Sequence, residues 1–438
     1  MDNSKGFAFL WDESFLWGLM AYEALISNNL PFELIRAEDI RKGCLRNYRM
    51  LFVPGGWASN KLKALEEKGI EEIRDFVRNG GIYFGICGGA GLATHDGIGL
   101  LDIQRKPTIH RVPSFSGRIY LNLKESFLWE GIKSPIFYAW WPSQFIVKDP
   151  SINILATFGD ALPDAFSSDI NVGDIKSTDW QELEGIYGIN LDPAKLKDEP
   201  AVVEGYYGDG RVILSLLHFD TPHDKNGLQA LKNLWQICCS EANSELAQIK
   251  KGIFNELPVC PVRQASPLSE KDVHPGQASR LSEKDNRVNL LQEIESMVEE
   301  LIDFGIRNFL WFWRSRMLLQ WRRGVRGLEY CTLFIMIREL RRFGDQFIEE
   351  DIEKLKVLRK ILISFVDKAK GLLIRERFIM QNTHISYGKC DDPEIQALRK
   401  ELFGDSKSHG GFLKEILDKI DKILYKHLKN ATLGSLGH

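Results

Sequence analysis

No run of about 20 apolar residues occurs in this 438-residue sequence, so no membrane-spanning helix is expected. No Cys-x-x-Cys pair occurs among its seven cysteines, Cys44, Cys87, Cys238, Cys239, Cys260, Cys331 and Cys390. The odd count and the spacing argue against a disulfide framework or a zinc ribbon and for a reducing compartment. His95 and His110 stand alone, and no spacing suggests metal ligation. Neither a metal nor a cofactor is expected. The Gly-x-x-x-x-Gly-Lys-[Ser/Thr] phosphate loop is missing, as is any obvious nucleotide site. Charge of one sign is missing too: the formal net charge is -3, which excludes a global polyelectrolyte role. The segment Met1-Asp2-Asn3-Ser4-Lys5 lacks the basic region and long apolar core of a secretion signal. The cytoplasm is the expected location.

What is present suits a globular interior. The chain is 44% hydrophobic and has 11 Trp, and its length points to two domains. Residues 6–10, 32–37, 50–54 and 82–86 read as strands. Residues 14–27 and 61–79 read as helices, the second closed by Gly80-Gly81. Further strands are expected at 117–123, 135–141 and 152–158. A hairpin with a Gly208-Asp209-Gly210 turn is expected over 202–217. Alternating β and α units predict an α/β domain over residues 1–255, a flavodoxin-like parallel sheet with helices on both faces. Residues 256–287 read as a flexible linker, because Gln264-Ala265-Ser266 through Asp272 recurs 13 residues later as Gln277-Ala278-Ser279 through Asp285. From residue 288 to 438 the apolar stripes fall at helical spacing and predict a separate all-α bundle of four or five helices.

Three segments carry chemistry. In Tyr83-Phe84-Gly85-Ile86-Cys87-Gly88-Gly89-Ala90-Gly91 an apolar strand ends in a sharp glycine turn before a helix. That is the layout of a nucleophile elbow, with Cys87 at a helix N-terminus where the thiolate is favoured. A buried structural cysteine in a glycine-rich turn is the other reading of the same residues. Val53-Pro54-Gly55-Gly56-Trp57 presents bare backbone N–H groups beyond a second strand. His218-Phe219-Asp220 ends the hairpin and supplies a base and a group to orient it. Asp12 and Glu13 follow the first strand, and either bind an amine or cap the helix that starts at Ser14. Trp57 and Trp11 follow strand ends and are candidates for a pocket. Trp141 belongs to the cluster Tyr138-Ala139-Trp140-Trp141, which is either a pocket wall or core. Residues 307–326 mix arginine and tryptophan. They are expected to form an amphipathic helix rather than a nucleic-acid surface.

Residues 1 to about 240 resemble the class I glutamine amidotransferase-like superfamily, and more narrowly the biotin-protein ligase N-terminal domain family. The motifs that carry the resemblance are Leu10-Trp11-Asp12-Glu13-Ser14, Val53 to Trp57, Gly85 to Gly91 and His218-Phe219-Asp220. The resemblance implies Cys87 as nucleophile, His218 as its base and the acid two residues further on. That acid is commonly Glu and here is Asp220, and Phe219 stands where the family usually has Pro. Gly56 and Gly88 would supply the oxyanion N–H groups. Neither a synthetase partner domain nor a biotin ligase catalytic domain is visible. The expected function is a cysteine-dependent amidase-like hydrolase acting on a C–N bond of a small molecule, with Asp12, Glu13, Trp57 and Trp141 contacting the substrate. The alternative is a catalytically silent module that binds a ligand or partner, with the helical domain mediating assembly through a protein partner.

Overall fold

A computed structural model describes residues 6–249, 277–381, 390–405 and 408–436. The chain opens with four βα units: β1 (Gly6–Leu10), α1 (Phe15–Ile26), β2 (Glu33–Ile35), α2 (Ala37–Arg41), β3 (Tyr48–Val53), α3 (Ala58–Arg78), β4 (Ile82–Ile86) and α4 (Gly88–Leu92). All pairings among these strands are parallel. Each residue of β4 is buried, which explains its unbroken apolar run: helices cover both faces of a parallel strand. There follow β5 (Ile103–Arg105), β6 (Phe115–Leu123), β7 (Ile136–Trp140), β8 (Phe145–Val147), β9 (Asn153–Ala161), β10 (Phe166–Ser167), β11 (Ile170–Asn171), α5 (Trp180–Tyr187), β12 (Pro200–Tyr207), β13 (Gly210–Ser215) and α6 (Lys225–Ile249).

The main sheet has the order β11-β10-β6-β9-β12-β13-β4-β3-β1-β2, with β7 beside β6. It is a mixed sheet, parallel from β2 to β13 and antiparallel beyond the expected hairpin of β12 and β13. β13 lies parallel to β4 and antiparallel to β12. The tight Gly208-Asp209 turn can join only antiparallel neighbours, so strand direction reverses there. The remaining pairings outward from β12 are antiparallel.

The second half comprises α7 (Gln277–Arg307), β14 (Trp311–Trp313), β15 (Leu319–Trp321), α8 (Gly327–Arg341), α9 (Glu349–Met380), α10 (Pro393–Phe403) and α11 (Gly411–Leu436). Residues 256–276 of the expected linker lie outside the described residues. Residues 277–287, with the second copy of the repeat, form the first turns of α7. The arginine- and tryptophan-rich segment is a hairpin, not the expected helix, with Trp311 opposite Trp321 and Trp313 opposite Leu319. Phe309 adopts a positive φ of 55° that stops α7. The alternating Trp-Phe-Trp then suits a strand, with Trp311 buried and Phe312 exposed.

The helical half packs against the sheet domain. Trp11 Nε1 donates to Asp421 Oδ1 at 2.6 Å. Arg36 bridges Asp421 at 2.8 Å and Asp12 at 3.1 Å. Arg314 Nη1 donates to Ser116 Oγ at 2.9 Å, and Gln320 Nε2 donates to the Ser168 carbonyl at 2.7 Å. Gly117 (φ +138°) makes room for this: a Cβ there would lie 2.5 Å from Arg314 Nη2. Arg316 pairs with Glu23, Arg323 takes Asp169 through its N–H, and Arg326 pairs with Glu329. The arginines of the hairpin region are therefore largely engaged within the molecule. Asp421→Ala would strip the buried Trp11 Nε1–H of its acceptor. A loss of about 1–3 kcal/mol is expected, read from denaturant midpoints, against little change for Asp418→Ala on the wet side of the same helix.

Candidate active site

Strand register brings the site together. Ser215 is level with Ile86 across the parallel β13–β4 pair, so the residues after both strands emerge side by side. Cys87 N–H continues the ladder by donating to the Ser215 carbonyl at 2.8 Å. On the other side β3 pairs with β4, Val53 level with Gly85, so the Gly55-Gly56 loop emerges beside the elbow. The three predicted segments thus share one rim, the carboxyl ends of neighbouring strands.

Cys87 has φ 52° and ψ -104°, outside the regions L-residues favour. This strained turn lifts a half-exposed thiol above the first turn of α4. Tyr83 Oη braces the turn from within β4 by donating to the Gly89 carbonyl at 2.7 Å. A Cβ on Gly88 would lie 1.8 Å from the Gly56 carbonyl oxygen, so the two glycine backbones touch. Among the described residues neither of their N–H groups donates to a backbone acceptor. For Gly88 the reason is its place at the first position of a helix.

His218 and Asp220 are fully buried, and His218 Nδ1 meets Asp220 Oδ1 at 2.9 Å. The Trp17 ring covers the imidazole at 4.7 Å between centroids. Among the described residues Nε2 has no hydrogen-bond partner, and Cys87 adds to the groups that favour the imidazolium. Burial disfavours that cation, but Asp220 and then Cys87 outweigh it and raise the imidazole from 6.5 to about 10. A raised histidine contributes stability that is full below about pH 6.5 and lost as pH rises toward about 10. The stability difference between wild type and His218→Gln should therefore shrink across that window in urea titrations. A difference that is flat or grows with pH would rule out a charged His218.

Above Cys87 opens a cavity of about 310 Å³. Trp57 and Trp141 line it, as does Gly56. Asp12 and Glu13 are not among the lining residues, which corrects their expected contact with substrate. Asp12 Oδ2 accepts from the Ala37 N–H at 2.6 Å, at the start of α2, and Oδ1 pairs with Arg36. Glu13 pairs with Lys414 at 2.9 Å. Trp11, the other strand-end candidate, is spent on Asp421. Glu13 and this indole join the two halves directly, and Asp12 does so through Arg36, which also pairs with Asp421.

Two features escaped the sequence reading. Trp321, Arg326 and Glu329 of the helical half form part of the cavity wall. No local pattern announces such a contact across domains. The other is Lys61, which in a charged helix reads as solvated. It is fully buried, and its Nζ donates to the Asp12 carbonyl at 2.9 Å and to Ser14 Oγ at 2.5 Å. Its Cε would touch a Cβ on Gly56 at 3.5 Å, so it ties the turn after β1 to the glycine loop. Burial lowers Lys61 from 10.5 to about 7, opposed by Asp12 and Glu13. Folding is then penalised at and below about pH 7, and the penalty fades toward pH 10.5. The stability difference between wild type and Lys61→Met should move in favour of wild type across that range. This is opposite in sign to the His218 effect, so the two variants separate the groups.

Residues 22–96 match the model of the family described as biotin-protein ligase, N terminal. That stretch holds the glycine loop and the elbow, and the resemblance seen in the motifs stands. His218 and Asp220 lie beyond it. None of the curated proteins matches this chain. Similar solved structures include a candidate GMP synthase protein from Thermoplasma acidophilum, at 12% identity and TM-score 0.37, covering 55% of this chain and 98% of that one. A glutamine amidotransferase has 19% identity and TM-score 0.34, covering 53% and 98%. A beta-galactosidase from Bacillus circulans sp. alkalophilus has 14% identity and TM-score 0.33, covering 55% of this chain and 31% of that one. Similarities this remote carry no inference about what this chain does. Among the described residues no helix is long and apolar enough to cross a membrane.

Proposed function

We propose that this chain is a cysteine-dependent amidase-like hydrolase acting on a C–N bond of a small molecule. One observation carries the reading. A strained, partly exposed Cys87 lines the cavity, and it acts electrostatically on a buried His218 that Asp220 holds. The Cys87 thiolate attacks the amide carbon, and the carbonyl electrons move onto oxygen. The N–H groups of Gly88 and Gly56 hold that oxyanion. His218 gives its proton to the leaving nitrogen, the C–N bond breaks and a thioester remains. Water then loses a proton to His218 and adds to the thioester. The acid product leaves and the thiolate returns. Such a thiol needs a reducing compartment, and the cytoplasm suits it.

The test is selective alkylation. Iodoacetamide at neutral pH should label Cys87 much faster than Cys44, whose thiol burial pushes up to about 11, and His218→Gln should slow the labelling. Peptide mass spectrometry reads both sites in one digest. If Cys87 reacts no faster than Cys44, the silent binding module becomes the better reading.

A further inference from the structure

Five of the chain's 11 tryptophans, Trp17, Trp57, Trp140, Trp141 and Trp321, surround the cavity over Cys87. Four of them, Trp17, Trp140, Trp141 and Trp321, are linked ring to ring through Trp141. Trp17 covers His218 and meets Trp141 edge-on at 6.1 Å and 71°. Trp141 in turn stacks on Trp321 at 5.0 Å and 25°. The aromatic surface therefore runs from the histidine across the domain boundary into the helical half. Such surfaces hold flat rings through offset-stacked and edge-to-face contact, worth about 0.5–1.5 kcal/mol per pair beyond area burial.

Charge narrows the class of ligand. The acidic residue lining the cavity is Glu329, and Arg326 already occupies it at 2.6 Å. Arg326 also lies over the Phe403 ring at 4.9 Å, which holds the pair against the wall. Asp12 and Glu13, near the floor, are taken by Arg36 and Lys414. Among the described residues, an ammonium entering the cavity would find no carboxylate free of a cation, and burying it unpaired is costly. A free amino acid such as glutamine is a poor fit. The cavity volume suits a small molecule, not a peptide or a polymer.

We propose that the cavity is a subsite for the flat aromatic group of an aryl amide that carries no ammonium, and that Trp321 of the helical half selects it. The reaction that would follow rests on Cys87 as nucleophile; the binding does not. Hydrolysis would consume one water and release an aryl carboxylic acid and the free amine or ammonia.

The experiment uses the full chain with two probes, benzamide and glutamine. Benzamide is expected to raise the melting temperature and to protect Cys87 from iodoacetamide, while glutamine at equal concentration does neither. Trp321→Ala should weaken benzamide binding about tenfold, the equivalent of about 1.4 kcal/mol. Trp313→Ala is the folding control: this half-buried residue of the same hairpin packs on Phe334 away from the cavity, so benzamide affinity should hold. Glutamine binding as well as benzamide overturns the proposal. So does an absence of benzamide binding, or equal loss in Trp321→Ala and Trp313→Ala. Should Cys87 prove inert to iodoacetamide while benzamide still binds through Trp321, the subsite stands and the hydrolase reading falls.

Discussion

Cys87→Ala is expected to lower turnover of any amide substrate by about 10⁴-fold or more, because the proposed mechanism forms its thioester on the Cys87 sulfur. The side chain is small and half-exposed, so folding should survive and a circular dichroism melt should move little. Asp220→Asn is expected to cost less than Cys87→Ala. Its carboxylate orients His218 at 2.9 Å but forms no bond to substrate. Initial rates on an aryl amide, with both variants purified alongside wild type, decide the order. Undiminished hydrolysis by Cys87→Ala would put the chemistry elsewhere in the molecule.

Gly88→Ala is expected to damage the site through sterics alone. A methyl group there would stand 1.8 Å from the Gly56 carbonyl oxygen and 2.7 Å from its carbon. Both are backbone atoms, so relief requires the glycine loop and the elbow to part. A loss of about 3 kcal/mol of stability is expected, at the upper end for overpacked positions. Activity should fall with it on the proposed mechanism, in which these two N–H groups hold the oxyanion. Gly371→Ala is the control. A Cβ at that position in α9 meets nothing within 4 Å, and it should gain about 0.5–1 kcal/mol from helix propensity. Unfolding curves in urea measure both. A Gly88→Ala protein as stable and active as wild type would mean that the loop and elbow are not in contact.

Much of this site was legible in the order of residues. Apolar runs ending in glycine turns marked the strands that carry Cys87 and Gly56, and the Gly-Asp-Gly turn marked the hairpin that carries His218. These signals are local. They depend on which residues tolerate a sharp turn and on which side chains suit a strand buried on both faces. The helical stripes beyond residue 288 were legible for the same reason.

What the sequence by itself determined, then, was the kind of most elements of the sheet half and the position of Gly56, Cys87 and His218 just beyond strand ends. Tertiary structure decided the rest. Parallel pairing of β13 with β4 put His218 beside Cys87. Docking of α11 took Trp11 and its neighbours away from the ligand, through a bond spanning 410 positions of chain. Packing of α3 against the turn after β1 left Lys61 buried, which its own helix would leave wet, and closure of the two halves brought Trp321 over the elbow. The physical reason is common to all four. Periodicity and turn chemistry act over a few residues, whereas the partner that a side chain meets depends on how distant surfaces close on each other.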